Sequence, residues 1–231
     1  MIKTRSPAHP KPAMKPTCLL LDIGGVLLTD GWDHHARRRA SKKFDLKWAE
    51  FEPRHRAVFE TFEQGHLTID EYLDLVVFHS PRKFTRSEFR RFMFAQSKPF
   101  PKMIELVKSL KRDFNLKIIV LSNEAREINA FRIREFGLAK FVDAFISSCF
   151  VNARKPDNKI FRMALDLAQV PIRNIIYLEN TQLFVEVAER LGIPSLLHTD
   201  YSSTLLKFSA LGLSVDKMSK RVSFKKLSPL S

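Results

Sequence analysis

The sequence has 231 residues, of which 45% are hydrophobic and 28% are charged, with 39 Lys and Arg against 25 Asp and Glu and a net charge of +14. A chain of this length and apolar content can bury a large core, which excludes a disordered, a collagen-like and a disulfide-stapled protein. The two cysteines, Cys18 and Cys149, stand in apolar surroundings, which favours a reducing compartment, the cytoplasm.

The chain starts with a basic, proline-rich stretch, residues 1–16, which is predicted to be a tail. No hydrophobic segment precedes it, so a secretory signal is not expected. The first apolar run, residues 17–28, is typical of a buried parallel strand whose carboxyl end turns sharply at Asp22-x-Gly-Gly. A membrane-spanning helix is not expected, because a bilayer requires about 20 apolar residues and this run, the longest, is interrupted by Asp22.

Residues 31–97 form long amphipathic stretches rich in Phe, Arg and Glu, without a convincing strand. Gly65 is typical of a helix end, and Thr68 of the N-terminal capping residue of the next helix. This pattern predicts an all-helical insert, which we call the helical cap. It is expected to lie over the ends of the strands like a lid.

Strand and helix patterns alternate in the remainder of the chain. Further strands are predicted at 116–121, 144–147, 174–178 and 194–198, and helices at 101–113, 125–136, 158–168 and 181–191. This alternation indicates an α/β fold, a Rossmann-like parallel sheet sandwiched by helices. The predicted core comprises residues 17–30 and 98–213.

Residues 214–231 are predicted to be a second basic tail. Residues 1–16 contain four Lys or Arg and residues 217–231 contain five, and neither stretch contains an acid. The tails therefore hold nine of the 14 excess charges and are expected to make weak, salt-sensitive contacts with polyanions. Zinc-ligand spacing and aromatic RNA-binding signatures are absent from the sequence, so specific nucleic-acid recognition is not predicted.

Polar residues follow three of the predicted strands. Asp22, Ser122 and Glu179 each stand where a strand ends. In parallel α/β sheets, ligands bind beyond the carboxyl ends of the strands. These residues therefore indicate a site at one edge of the sheet.

The sequence resembles the haloacid dehalogenase superfamily at four motif positions in order. These are Asp22-Ile23-Gly24-Gly25-Val26, Ser122-Asn123, Arg154-Lys155-Pro156-Asp157, and Glu179-Asn180 followed by Ala188 and Gly192. The resemblance spans residues 17–213, and the helical cap is similar to that family's cap. The Asp-x-Gly-Gly start resembles the branch related to sugar-phosphate phosphatases and to the amino-terminal domains of some epoxide hydrolases.

The resemblance implies a phosphatase that acts on a small phosphorylated metabolite through an aspartyl-phosphate intermediate. It implies Asp22 as the nucleophile, with Ser122 and Lys155 around the phosphoryl group. Gly24, Gly25 and Asn123 are expected to bind substrate. Magnesium is expected at Asp22, Glu179 and Asn180, with the Gly24 carbonyl as a further ligand.

The sequence departs from the family's pattern at three positions. Gly24 stands where phosphatases of this family carry a second Asp, which serves as general acid and base. That assistance contributes about 10²–10⁴ in rate. Asn180 replaces an acid, and Phe184 stands where a polar residue is common, so the magnesium site has fewer charged ligands.

These departures leave two alternatives open. One is a binding or scaffolding protein that has kept the fold and lost turnover. The other is a metal-independent dehalogenase, in which Asp22 attacks carbon and neither the second Asp nor a metal is needed.

Overall fold

The computed structural model describes residues 16–215. The predicted tails lie outside the described residues, apart from the few positions that border the core. The described part contains five strands: β1 (Cys18–Leu21), β2 (Lys117–Ser122), β3 (Ala144–Ser147), β4 (Ile175–Glu179) and β5 (Ser195–Leu197). It also contains ten α-helices: α1 (His34–Lys43), α2 (Trp48–Glu63), α3 (Ile69–Val76), α4 (Arg86–Ala95), α5 (Pro101–Phe114), α6 (Arg126–Glu135), α7 (Ser148–Val151), α8 (Asn158–Ala168), α9 (Gln182–Arg190) and α10 (Tyr201–Ala210).

The five strands form one parallel sheet in the order β3-β2-β1-β4-β5. Side chains of β1 alternate between the two faces, as strand geometry requires. Leu19 and Leu21 pack in the same cluster as residues of α5 and α10, whereas Cys18 and Leu20 pack with residues of α8 and α9. The predicted Rossmann-like sheet sandwiched by helices is therefore confirmed.

The first apolar run is strand only as far as Leu21, shorter than its predicted extent of 17–28. The backbone turns at once, and the amides of Leu27 and Leu28 both donate to the Ile23 carbonyl at 3.0 Å. Gly25 permits this turn because its φ of 67° lies in the left-handed region. The apolar residues 26–28 are buried by the turn instead of by extension of the strand.

Helices α1 to α4 form the insert that follows β1, and the predicted all-helical cap is confirmed. Its core is aromatic, with Tyr72 and Phe89 fully buried. Thr68 caps α3 as predicted, since its hydroxyl accepts from the Glu71 amide and the Thr68 amide donates to the Glu71 carboxylate at 2.7 Å.

No helix among residues 16–215 has both the length and the apolar composition needed to cross a membrane.

Candidate active site

Asp22 directly follows β1, the middle strand of the sheet. Its amide continues the ladder by donating to the Leu178 carbonyl at 3.1 Å, and its Oδ1 accepts from the Ile23 amide at 2.7 Å. Only 8% of the residue is exposed. One carboxylate is thus held at the carboxyl edge of the sheet, with its second oxygen available to other partners.

Lys155 supplies the positive charge beside this carboxylate. It lies in the loop before α8 and is fully buried, and its Nζ is 3.1 Å from Asp22 Oδ2 and 2.6 Å from Glu179 Oε2. Burial alone would lower the pKa of Lys155, but the carboxylates of Asp22 and Glu179 raise it above its ordinary value. The ammonium is therefore charged and fixed between two carboxylates.

Asn123 holds the backbone of Lys155. Its Oδ1 accepts from the Lys155 amide at 2.8 Å, and its Nδ2 donates to the Lys155 carbonyl at 2.9 Å. Both functional groups of its side chain thus position the lysine loop, and the substrate-binding role of Asn123 stays a prediction. The Asn123 side chain links the end of β2 to the loop before α8.

Glu179 is fully buried at the end of β4 and accepts from four donors. Oε1 accepts from the amides of Asn180 at 3.0 Å and Thr181 at 2.9 Å, and Oε2 accepts from Lys155 and from the Tyr177 hydroxyl. Burial raises the pKa of Tyr177 well above its ordinary value, so the phenol stays protonated and donates. The oxygens of Glu179 are engaged by protein donors and support Lys155, and the role of Glu179 as a metal ligand stays a prediction.

A cleft of about 540 Å³ opens between the strand ends and the helical cap. Asp22, Gly24, Ser122 and Asn123 line it from the core side. Ser122 is 1% exposed at the last position of β2. The structure therefore brings the three predicted catalytic residues to one edge of the sheet, with Lys155 beneath Asp22.

The two glycines after Asp22 lie tightly against their neighbours. A Cβ on Gly25 would overlap the side-chain amide of Asn180, and a Cβ on Gly24 would stand 3.2 Å from Asp30 Oδ1. When the side-chain NH₂ group of Asn180 is turned towards these acceptors, it donates to the Gly24 carbonyl at 3.1 Å and to Glu179 Oε1 at 2.9 Å.

The residues present fit magnesium in ligand type. The Asp22 carboxylate, the Gly24 carbonyl and the Asn180 amide oxygen are hard oxygen ligands of the kind that magnesium takes. In the opposite orientation of the Asn180 side chain, its amide oxygen would lie beside the Gly24 carbonyl. The set contains one carboxylate, and residues 16–215 contain no group of three or more His, Cys, Asp or Glu side chains suited to a metal ion.

The cap side of the cleft is built from paired charges. Arg37 binds Glu52 through Nε at 2.8 Å and Nη2 at 2.9 Å, and both residues are buried. From the core side, Arg132 forms a buried ion pair with Glu124 and donates to the Thr29 carbonyl. These pairs form walls of the cleft whose charges are already neutralised.

Sequence reasoning missed Tyr177, Arg132 and Asp30. Tyr177 precedes Glu179 by two residues in a strand, a spacing that places both on one face and could have indicated the pair. Arg132 and Asp30 had no such signal, since one lies on a polar helix and the other follows the apolar turn.

The family model and the solved structures that resemble this chain point to the same protein family. Residues 16–194 match the model of the haloacid dehalogenase-like hydrolases. A HAD family enzyme from Bacteroides thetaiotaomicron superposes with a TM-score of 0.69 at 19% identity, covering 80% of this chain and 94% of that one. Another structure of that enzyme, in complex with magnesium and inorganic phosphate, gives a TM-score of 0.65 at 19% identity, with the same coverage of both chains.

Two further proteins extend the comparison. The L-2-haloacid dehalogenase from Xanthobacter autotrophicus, with chloropropionic acid covalently bound, has a TM-score of 0.57 at 14% identity, covering 84% of this chain and 83% of that one. A drimenol cyclase from Aspergillus calidoustus is 26% identical over 184 residues, 78% of this chain. The chain spans only 33% of that curated relative's length. The family match covers most of the sequence, and the chain belongs to the haloacid dehalogenase-like hydrolases.

Proposed function

We propose that this protein is a phosphatase that hydrolyses a small phosphorylated metabolite through a phosphoaspartate on Asp22. The observation that carries this proposal is the Asp22 carboxylate, held 3.1 Å from the Lys155 ammonium and facing a cleft that Ser122 also lines. The cleft volume of about 540 Å³ suits a small ligand.

The reaction has two displacements at phosphorus. An Asp22 oxygen attacks in line, so that an O–P bond to the enzyme forms while the bond to the leaving oxygen breaks. A water oxygen then attacks the same phosphorus, which releases inorganic phosphate and regenerates the carboxylate. One ester and one water thus give one alcohol and one phosphate.

The surrounding residues handle charge. Attack of one anion on another needs a cation close to both, and Lys155 supplies it next to the attacking carboxylate. Ser122 donates a hydrogen bond to a phosphoryl oxygen. Magnesium, held by Asp22, the Gly24 carbonyl and Asn180, would neutralise further charge on the phosphoryl group.

Two further observations support the proposal. The B. thetaiotaomicron enzyme shares the fold and was solved with magnesium and inorganic phosphate. Cys18 and Cys149 are both free and buried, which supports a reducing compartment, and we place the activity in the cytoplasm.

The test is phosphate release from p-nitrophenyl phosphate and a panel of sugar phosphates, with magnesium, by wild type and Asp22→Asn. We expect the variant to fall to the background rate and to form no phosphorylated Asp22 peptide after an acid quench. The control is Asp33→Asn, because Asp33 also lines the cleft but its carboxylate caps α1 through the Ala36 amide, a role that Asn fills equally well. Phosphate release that survives Asp22→Asn would contradict the proposal.

A metal-independent dehalogenase is the second candidate. It is favoured by the absence of a carboxylate at Gly24 and by the shared fold of the X. autotrophicus dehalogenase. Chloride release from 2-chloropropionate in the presence of EDTA, without phosphate release from any ester, would assign this activity instead. A protein that releases neither product but binds phosphate analogues would be a scaffold with the family's fold.

A further inference from the structure

The proposed phosphatase needs an acid that position 24 does not supply. An alkoxide leaves phosphorus slowly unless it gains a proton as the bond breaks, and general acid catalysis of this kind contributes about 10²–10⁴ in rate. Gly24 has no side chain. If the proposed function is correct, the proton has to come from another group in the cleft.

Most ionisable groups that line the cleft are already engaged. Glu52 is paired with Arg37, and Glu124 with Arg132. Asp33 accepts the Ala36 amide at 2.6 Å at the start of α1. These side chains have structural partners that hold them away from a substrate.

The two histidines of the cleft are also poorly placed. Burial lowers the pKa of His55 to about 3, so it carries no proton to donate from Nδ1, which lies 2.9 Å from the Tyr72 hydroxyl. His34 is nearly half exposed on the cap side, 3.8 Å from Glu52. Neither has an atom within 4 Å of the position that a Cβ on Gly24 would take.

Asp30 has the required position. It is absent from the ion pairs formed among residues 16–215, and it lines the cleft together with Asp22, Ser122 and Gly24. The tight turn after β1 brings it back over the two glycines, and its Oδ1 lies 3.2 Å from where a Cβ on Gly24 would stand. The carboxylate of Asp30 thus lies directly beside the space that a side chain at position 24 would enter.

We propose that Asp30 is the general acid and base of this site, supplied from the end of the turn in place of a residue at position 24. The residue is exposed to the cleft, as a group that meets the substrate must be. The Arg132 bond to the Thr29 carbonyl fixes the backbone next to it.

Four groups face the Asp30 carboxyl. They are the carboxylates of Asp22 and Asp33, the guanidinium of Arg132 and the side-chain amide of Asn180, which forms a hydrogen bond with Asp30. The rim beyond Asp30 carries three basic side chains: His35, Arg39 and Lys98.

The proton path balances over one turnover. The protonated Asp30 gives its proton to the leaving oxygen as the P–O bond breaks, which leaves Asp30 as a carboxylate. That carboxylate takes a proton from water as the water oxygen attacks the phosphoaspartate. Alcohol and phosphate leave, and Asp30 is again protonated.

The first test compares two leaving groups in wild type and Asp30→Asn. For an alkyl phosphate, whose leaving oxygen needs the proton, kcat/KM should fall by about 10²–10⁴. For p-nitrophenyl phosphate, whose leaving group departs without a proton, kcat/KM should be unchanged. Dephosphorylation should be slow in the variant, so p-nitrophenol should appear as a burst of one per enzyme. The control, Asp33→Asn, should keep the leaving-group dependence of wild type.

The second test moves the carboxylate. Gly24→Asp alone should lower activity, because the new side chain meets Asp30 Oδ1. Gly24→Asp combined with Asp30→Ala has room for the new carboxylate and should recover turnover of the alkyl phosphate relative to Asp30→Ala. Circular dichroism and magnesium titration of each variant check the fold and the metal affinity.

The outcomes separate this inference from the proposed function. If Asp22→Asn abolishes phosphate release while Asp30→Asn affects both substrates equally in kcat/KM, the phosphatase stands and Asp30 is not its acid. A weakened magnesium affinity with unchanged leaving-group dependence would make Asp30 a metal ligand and overturn the inference. If His34→Gln, and not Asp30→Asn, shows the selective loss, the acid is His34.

Discussion

At the scale of single residues, the site depends on one buried lysine between two carboxylates. Lys155 and Glu179 are both fully buried, which is costly for charged groups unless each is paired and hydrogen-bonded. Four donors meet the Glu179 carboxylate, and two carboxylates meet the lysine. The charge of Lys155 near Asp22 is therefore maintained by Glu179.

We expect Glu179→Gln to lower the free energy of unfolding by about 3–5 kcal/mol, because removing one member of a buried ion pair leaves the other charge uncompensated. The Gln NH₂ group would also face donors at Lys155 or at the backbone amides. Urea unfolding followed by circular dichroism measures the change.

Glu189→Gln is the matched control, since Glu189 is exposed on the adjacent helix α9. Its effect should stay within about 0.5 kcal/mol. Equal stabilities of the two variants would show that Glu179 carries no net charge in the folded protein.

At the scale of elements, a chain of hydrogen bonds joins the segment before α1 to helices α2 and α3 of the cap. The indole of Trp32 can only donate, and its Nε1 meets the Tyr72 hydroxyl at 2.9 Å. That hydroxyl keeps its own proton to donate, and Nδ1 of His55, 2.9 Å away, can accept it because burial keeps the imidazole neutral. The residues before α1, in α2 and in α3 are thereby connected.

The pKa of His55 predicts how acid affects the cap. Burial, followed by the charge of Arg37, lowers its pKa from 6.5 to about 3 in the folded protein. Between these values the unfolded chain binds a proton that the folded protein does not, so the stabilisation is complete above pH 6.5 and is lost as pH falls towards 3. The slope is at most about 1.4 kcal/mol per pH unit.

We expect His55→Asn to remove this pH dependence, because the Asn oxygen can still accept from Tyr72 and does not titrate. The measurement is the difference in unfolding free energy between wild type and variant at several pH values. Taking a difference cancels other groups, such as Glu124, whose pKa burial raises to about 7. A difference that stays constant from pH 7 to pH 4 would contradict the assigned protonation state.

At the scale of the whole molecule, the far end of the cap is fastened to the core beside the lysine loop. Ser148 Oγ donates to the Glu63 carbonyl at 2.6 Å, and Arg154, next to Lys155, binds the Glu63 carboxylate at 2.9 Å. Gly65 packs so closely that a Cβ there would overlap the Cys149 carbonyl oxygen. Cap and core therefore meet backbone to backbone at this point.

We expect Gly65→Ala to destabilise the protein more than Gly212→Ala. Both glycines have a left-handed φ, 76° and 77°, but a Cβ on Gly212 would have no neighbour within 4 Å. Gly212→Ala should cost about 1–2 kcal/mol of backbone strain, and Gly65→Ala a further 1–3 kcal/mol or so from overpacking. Thermal or urea unfolding of both variants measures this, and equal losses would mean that cap and core separate readily at this point.

The alternation of apolar strands and amphipathic helices was sufficient to predict the fold, and the ends of parallel strands were sufficient to predict that Asp22, Ser122 and Glu179 would lie at one edge of the sheet. Lys155 was predicted at this site only through the family resemblance. Parallel strands in one sheet place their carboxyl ends at the same edge whatever the details of the connections. Local periodicity therefore determined the sheet, the helical insert and the position of the site.

Only the tertiary structure decided which side chains of the site contact one another. Glu179 and Asn123 proved to hold Lys155, and Asp30 came to lie over Gly24, because the backbone turned back after Leu21. The direction in which a side chain points after such a turn depends on contacts between distant segments, and no pattern within one segment records it.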